Sequence, residues 1–365
     1  MKKDAKKPKL AKVLGRTLLV LLTFVLITVA GAYATLWIIC HGPSPAARDL
    51  FVSTIMETGQ MKFLASWYFS EEEILAITGR NAMVHNKENV DPDLIVTPAP
   101  DNDPDAESDF DINAIEIVEV SGRSFYGKLM IINDPSRVKL TTIYPWSDDP
   151  EGKKGQTLKE LVENGDYLGG VNGGEYFSDG NWGGKPKGLV VCDGQIQYND
   201  PKPGDVMIGF NRDNILMIMD TGSLTASEVE ELVTEHRIRD AVSFKDIDDG
   251  DDNHFTKLII NGEATELSGS GSGANPRTAI GQKADGTVLL LVTDGRGAAG
   301  HLGATARDLI SIMQEYGAVN AANLDGGSSS AMYYDGAYEM SSVTLYYSTS
   351  SWRLPTAFVI EKRED

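Results

Sequence analysis

The sequence predicts an α+β fold, with mixed sheets and a few packed helices, preceded by one N-terminal transmembrane helix. Three observations point there. Residues 18–39 form an uncharged, apolar run behind a basic head. From residue 112 onward, β-branched runs are separated by short Gly, Asp and Pro turns. Isolated helical stretches sit among these runs without a repeating strand-helix unit, which favours α+β over a doubly wound parallel sheet. At 365 residues with 41% hydrophobic content, the chain can bury a full core.

The head, residues 1–17, carries Lys2, Lys3, Lys6, Lys7, Lys9, Lys12 and Arg16 against Asp4. At 1.5 Å per residue, the 22 residues of 18–39 span a hydrocarbon core of about 30 Å and read as a membrane anchor. The cationic side lies before this run, so the head is expected in the cytoplasm and the rest outside. Ala32-Tyr33-Ala34 also resembles a signal-peptide cleavage site. The apolar run continues through Leu36-Trp37-Ile38-Ile39, however, which favours the anchor. Either reading exports the remainder.

Residues 40–84 read as a juxtamembrane helical region. Gly42-Pro43-Ser44-Pro45 punctuates its start, helical stretches follow at 46–58 and 61–69, and Ser70 with Glu73 forms a capping-box pattern for a short helix reaching Ile77. Residues 85–111, rich in Asp, Asn, Pro and Glu, are expected to form an acidic spacer. The domain at residues 112–361 then opens with strand-like runs at 112–120, 125–134 and 137–144. Thr157 to Asn164 reads as a capped helix closed by Gly165. Strands are expected near 166–171, 189–191, 206–210 and 215–219, and a helix from Thr225 to His236. A strand at 287–292 ends in Asp294-Gly295-Arg296. Thr305 with Asp308 caps a helix through Tyr316, and a strand at 319–324 ends in Asp325-Gly326-Gly327-Ser328. These two aspartates are expected at the exits of neighbouring strands, facing one cleft.

The formal charge of −20, with a cationic head, leaves the exported part strongly acidic. That excludes nucleic-acid binding through a basic patch, and any anionic substrate must find a local cation. Cys40 and Cys192 cannot make a disulfide framework or a thiol zinc cluster. His41, His85, His236, His254 and His301 lack metal-ligand spacing. Within 246–252 the glycine sits one position early for an EF-hand and no Glu follows at the required distance. No cofactor is required, although carboxylate-bound calcium stays compatible with the composition.

Four segments can carry chemistry. Asn172-Gly173-Gly174-Glu175 offers paired glycines for close backbone approach, beside an amide and a carboxylate. Arg277-Thr278 opens a strand with a planar donor fork suited to phosphate. Asp294 and Asp325 supply the two carboxylates that glycosyl transfer to water uses. Gly326, Gly327, Ser328 and Ser329 can wrap an anion with N–H and O–H donors.

In this order, NGGEYF, NPRTAIGQKADGTVLLLVTDGR and GAVNAANLDGGSSSAMYYDG resemble the phosphodiester glycosidase family. That family includes the lysosomal enzyme that removes N-acetylglucosamine from mannose-6-phosphate tags, and many exported bacterial proteins. The resemblance implies an α+β domain hydrolysing the bond between an anomeric carbon and a phosphodiester, in a glycan such as one carrying N-acetylglucosamine. It implies catalysis by Asp294, Asp325, Arg277 and Glu175, and substrate contacts at Asn172, Gly173, Gly174, Thr278, Gly326, Gly327, Ser328 and Ser329. Glu175 and Tyr176 depart from the family pattern, which is more often aromatic there. The competing reading is a non-catalytic module for anionic glycans, which would tolerate loss of Asp294 and Asp325.

Overall fold

The computed structural model describes residues 7–58, 61–97, 111–246, 254–342 and 350–363, with side chains from residue 12. The N-terminal helix α1 runs Lys7–His41. Its Lys12–His41 portion is long and apolar enough to cross a membrane, and its apolar side chains are exposed. Three helices follow: α2 (Pro45–Met56), α3 (Phe63–Ser66) and α4 (Glu71–Thr78). Ser44 caps α2 by accepting from Ala47 N, with Pro45 in the first turn where its missing N–H is harmless. The Ser70/Glu73 capping box forms as expected and starts α4. The stretch expected as a helix over 61–69 is instead the single turn α3. Val52, Ile55, Ala65, Ile74 and Ile77 pack these helices together, and the Tyr68 hydroxyl donates to Tyr33 O on α1 at 3.1 Å.

Residues 83–97 lie along the domain rather than free of it. Val84 N donates to Glu266 O, Val96 N donates to Ala284 O, and Val90 and Ile95 are buried. Few apolar residues stand in this acidic segment, but these two reach the core. Residues 98–110 of the expected spacer lie outside the described residues, as do 247–253 of the acidic run.

The domain proper contains, in chain order, β1 (Ile115–Ser121), β2 (Tyr126–Ile132), β3 (Val138–Thr142), α5 (Leu158–Asn164), β4 (Tyr167–Asn172) and β5 (Gly188–Cys192). Next come β6 (Gln195–Asp200), β7 (Asp205–Asn211), β8 (Leu216–Asp220), α6 (Ala226–Glu235), β9 (Ile238–Lys245), β10 (Lys257–Ile260) and β11 (Glu263–Ala264). The chain finishes with β12 (Arg277–Lys283), β13 (Val288–Thr293), α7 (Ala306–Glu315), β14 (Ala318–Asn323), β15 (Ala331–Tyr334), β16 (Ala337–Ser341) and β17 (Thr356–Glu361).

Among the described residues these strands form three sheets, ordered β1-β2-β13-β12-β14-β10-β11, β16-β15-β4-β17-β3 and β6-β5-β9-β7-β8. The paired strands run antiparallel. One face of each sheet contributes to a shared core that joins Met130, Ile280 and Leu290 to Val171, Phe358, Val190 and Ile208. The other face of the first sheet packs under α7, through Leu289 and Leu291 against Leu309 and Met313. Alternate residues of β13 thus serve two cores, which is why its sequence is a continuous apolar run.

Register decides where the motifs emerge. Arg277 pairs with Thr293 and Ala279 with Asn323, so β12 lies between β13 and β14. The strands carrying Asp294 and Asp325 are therefore not neighbours, as the sequence suggested. Their exits stand two strand spacings apart, roughly 9–10 Å, with Arg277 between them. A helix links β13 to β14 in sequence, and the strand that entered earlier fills the gap left in the sheet.

Candidate active site

The end of β4 fixes the floor. Asn172 is fully buried; its Nδ2 donates to Asp325 O at 2.7 Å, and its Oδ1 accepts from Thr278 Oγ1 at 2.7 Å and from Ala331 N at 3.2 Å. One amide thus ties together three of the four segments. Gly173 and Gly174 let the chain pass between strands: a Cβ would come within 2.4 Å of Thr356 Oγ1 at the first and of Ser243 O at the second. Close packing, rather than an anion nest, is what demands glycine there.

Asp325 stands at the turn after β14, opening to solvent over part of its surface. Gly326 N donates to its Oδ1 at 3.0 Å. Ser329, which shares a 2.9 Å hydrogen bond with the buried Tyr176 hydroxyl, also bonds the carboxylate. Burial pushes the Asp325 pKa up to about 7 and the negative charge of Glu175 adds to the shift, while Ser329, Gly326 N–H and Lys187 restrain it. Burial, with Asp325 beside it, raises the Tyr176 phenol well above its ordinary value.

Two cations face this carboxylate from different elements. Arg296 leaves the turn after β13 and donates through Nη1 to Ser328 Oγ at 2.7 Å. Gly327, at φ +63°, makes room for it: a Cβ there would lie 2.5 Å from Arg296 Nη2. Lys187 Nζ pairs with Glu175 Oε1 at 2.7 Å and sits 5.4 Å from the centre of the Phe177 ring. Lys185 lies 5.9 Å from that ring and 5.6 Å from the Tyr198 ring.

Arg277 and Asp294 are occupied by protein partners. The buried Arg277 guanidinium pairs with Glu57 at the end of α2, donates to Gly273 O at 2.9 Å and lies 4.9 Å over the Phe255 ring. Asp294, also buried, accepts from Tyr126 N at 2.8 Å and bonds His301 Nδ1 at 2.6 Å. The fold therefore brings together Asp325, Glu175, Gly326, Gly327, Ser328 and Ser329, with Asn172 and Thr278 directly behind. Arg277 and Asp294 are bonded to protein partners instead.

Arg296, Lys187, Tyr176 and Glu57 are not marked as site residues by the sequence motifs. Arg296 lies two positions after Asp294, and its place after an Asp-Gly turn is the available signal. Lys187 meets Glu175 only because the chain doubles back through a bridge between Tyr176 and Pro186, which no local pattern marks. Among the described residues, no cluster of three or more His, Cys, Asp or Glu is arranged to hold a metal.

An antiparallel α+β domain with a carboxylate set between cations defines a candidate hydrolase of anionic esters. A model of the phosphodiester glycosidase family matches residues 166–361, more than half of the chain, and the chain belongs to that family. The SPbeta prophage-derived uncharacterized protein YomE of Bacillus subtilis (strain 168) is 44% identical over 64 residues, 18% of this chain and 10% of that protein; the match spans only a small part of that relative's length. The zebrafish N-acetylglucosamine-1-phosphodiester alpha-N-acetylglucosaminidase catalytic domain, auto-inhibited by its pro-peptide, is similar at 18% identity and a TM-score of 0.48, over 70% of this chain and 86% of that one. A hypothetical protein from Synechocystis is similar at 16% identity and a TM-score of 0.41, over 68% of this chain and 61% of that one.

Proposed function

We propose that the chain is a membrane-anchored, extracytoplasmic hydrolase of sugar-1-phosphodiesters, with a hexosamine such as N-acetylglucosamine as the sugar, borne on an envelope glycan or polysaccharide. In this reading α1 is the anchor, the basic head is cytoplasmic and residues 112–361 carry the reaction. The observation that carries the proposal is Asp325, a carboxylate with a pKa of about 7 flanked by Arg296 and Lys187. A plain glycoside would bring no negative charge to Arg296, whose guanidinium bonds the neutral Ser328 hydroxyl; a phosphodiester monoanion would.

The reaction follows from the groups present. Arg296 and the Ser328 hydroxyl hold the phosphate oxygens, while the Gly326 and Gly327 N–H groups are spent on Asp325 and Pro276 and shape the turn. A water oxygen bonds the anomeric carbon while its proton passes to Asp325, whose pKa near neutrality suits a general base. The bond between the anomeric carbon and the phosphate oxygen breaks, and its electron pair leaves with the phosphate. That leaving group is an already stabilised anion, so no strong general acid is needed. Glu175, held by Lys187, steadies the positive charge developing on the sugar ring. Arg277 and Asp294 act from behind, bracing the turns that carry Asp325 and Arg296.

The test is sugar release by the full chain in detergent from a panel of hexosamine-1-phosphodiesters, with Asp325→Asn and Arg296→Met alongside. Release by the wild type that both changes abolish or cripple supports the reading. No release from any donor, with binding of the same compounds intact, identifies a non-catalytic glycan-binding module instead.

A further inference from the structure

The site depends on a residue far outside the segment matched by the family. Glu57 caps the C-terminal end of α2, and its side chain is only 5% exposed, against 9% for its partner Arg277. Its carboxylate makes three contacts on one stretch of chain. Oε1 accepts from Gly273 N at 2.6 Å, while Oε2 accepts from Asn275 Nδ2 at 3.1 Å and pairs with Arg277 Nη2. One turn earlier, Thr54 Oγ1 accepts from Ala274 N at 3.0 Å. Gly273 permits this docking, since a Cβ there would lie 2.4 Å from both Thr54 N and Thr54 Cα.

The clamped stretch in turn supports both halves of the site. Pro276 O accepts from Gly327 N at 2.8 Å, in the turn that begins at Asp325. Asn275 exchanges backbone hydrogen bonds with Ala304, at the end of the loop that starts with Asp294 and carries Arg296. A buried carboxylate meeting a guanidinium and two further donors is an expensive arrangement whose return is fixed geometry. Here that geometry belongs to residues 273–277, on which the Asp325 turn and the Arg296 loop both rest.

We propose that Glu57 is a positioning residue of the active site, acting through residues 273–277 on the Asp325 turn, so that the membrane-proximal helices form one working unit with the domain. The kinetic arm of this inference rests on the hydrolase reading; its structural arm does not.

The experiment uses the full chain in detergent and compares wild type, Glu57→Gln and Glu57→Asp. Steady-state sugar release and amide hydrogen exchange are both read, the latter at residues 326–330 with β5 as the internal reference. Displacements near 1 Å cost up to about 10²-fold in rate. Glu57→Gln should therefore lower kcat by about 10- to 100-fold with KM within about 3-fold, and should speed exchange at 326–330 but not in β5. Glu57→Asp, which keeps the charge but shortens the reach, should fall between, and carries the comparison if Glu57→Gln does not fold. An unchanged or increased kcat, or exchange at 326–330 that stays at the wild-type rate, overturns the proposal. A wild type that turns over no donor defeats the hydrolase reading alone, and exchange then decides the role of Glu57.

Discussion

Asp294 and Asp325 occupy the same place in the sequence pattern, each ending a strand and preceding a glycine, yet the fold uses them in opposite ways. Asp294 spends both oxygens on protein, one on Tyr126 N and the other on His301. Asp325 opens partly to solvent and is bonded from its own turn, by Gly326 N and Ser329, with its pKa displaced to about 7 by burial and by Glu175. Each carboxylate thus takes two protein donors; what separates them is that Asp325 is bonded only from its own turn and has the Glu175 charge nearby, whereas Asp294 is tied to Tyr126 and His301.

The comparison breaks most visibly at Asp325. Asp325→Asn should cut kcat by about 10²- to 10⁴-fold, the range of general acid–base catalysis, measured as sugar release. The same variant changes stability with a definite sign. A carboxyl whose folded pKa lies above its ordinary 3.8 binds its proton more tightly when folded. That stabilisation is complete below about pH 4 and is lost as pH rises through about 7. Melting curves should therefore show Asp325→Asn gaining on the wild type between pH 4 and pH 8, and gaining nothing at lower pH.

Arg296→Met tests the cation that the comparison places on the cleft side. Loss of a charged hydrogen-bonding partner should reduce kcat/KM by about 10- to 100-fold, mainly through KM. Smaller again is Asp294→Ala, which leaves the buried Tyr126 N–H without its partner. It should cost about 1–3 kcal/mol in denaturant unfolding and less than about tenfold in turnover. If Asp294→Ala were as damaging to kcat as Asp325→Asn at equal stability, the contrast between the two aspartates would be wrong.

Local signals in the sequence were read correctly because they are satisfied locally. The capping boxes at Ser70/Glu73, Thr157/Glu160 and Thr305/Asp308 form as their spacing requires. The apolar run of β13 also needs no distant partner to be recognised. By contrast, β9 has no place among the expected strands, and its Arg239 and Asp240 pair with each other in the interior at 2.7 Å. The interposition of β12 between β13 and β14 is a long-range pairing with no local mark. The same limit governs the geometry of the candidate site: the motifs at Asn172 and Asp325 are visible in the sequence, whereas the pairing of Arg277 with Glu57 joins residues more than two hundred positions apart. A buried partner that arrives from another part of the chain has no mark beside the residue it pairs with.

If Asp325 is the working base, Glu175 helps set its pKa. The most direct measurement is the pH dependence of kcat/KM for wild type, Glu175→Gln and Lys187→Met on one hexosamine-1-phosphodiester, whose phosphate stays ionised throughout. The account predicts activity rising through an inflection near pH 7, which moves to lower pH when the Glu175 charge is removed and to higher pH when the Lys187 charge is removed. An inflection that stays put in both variants would contradict it.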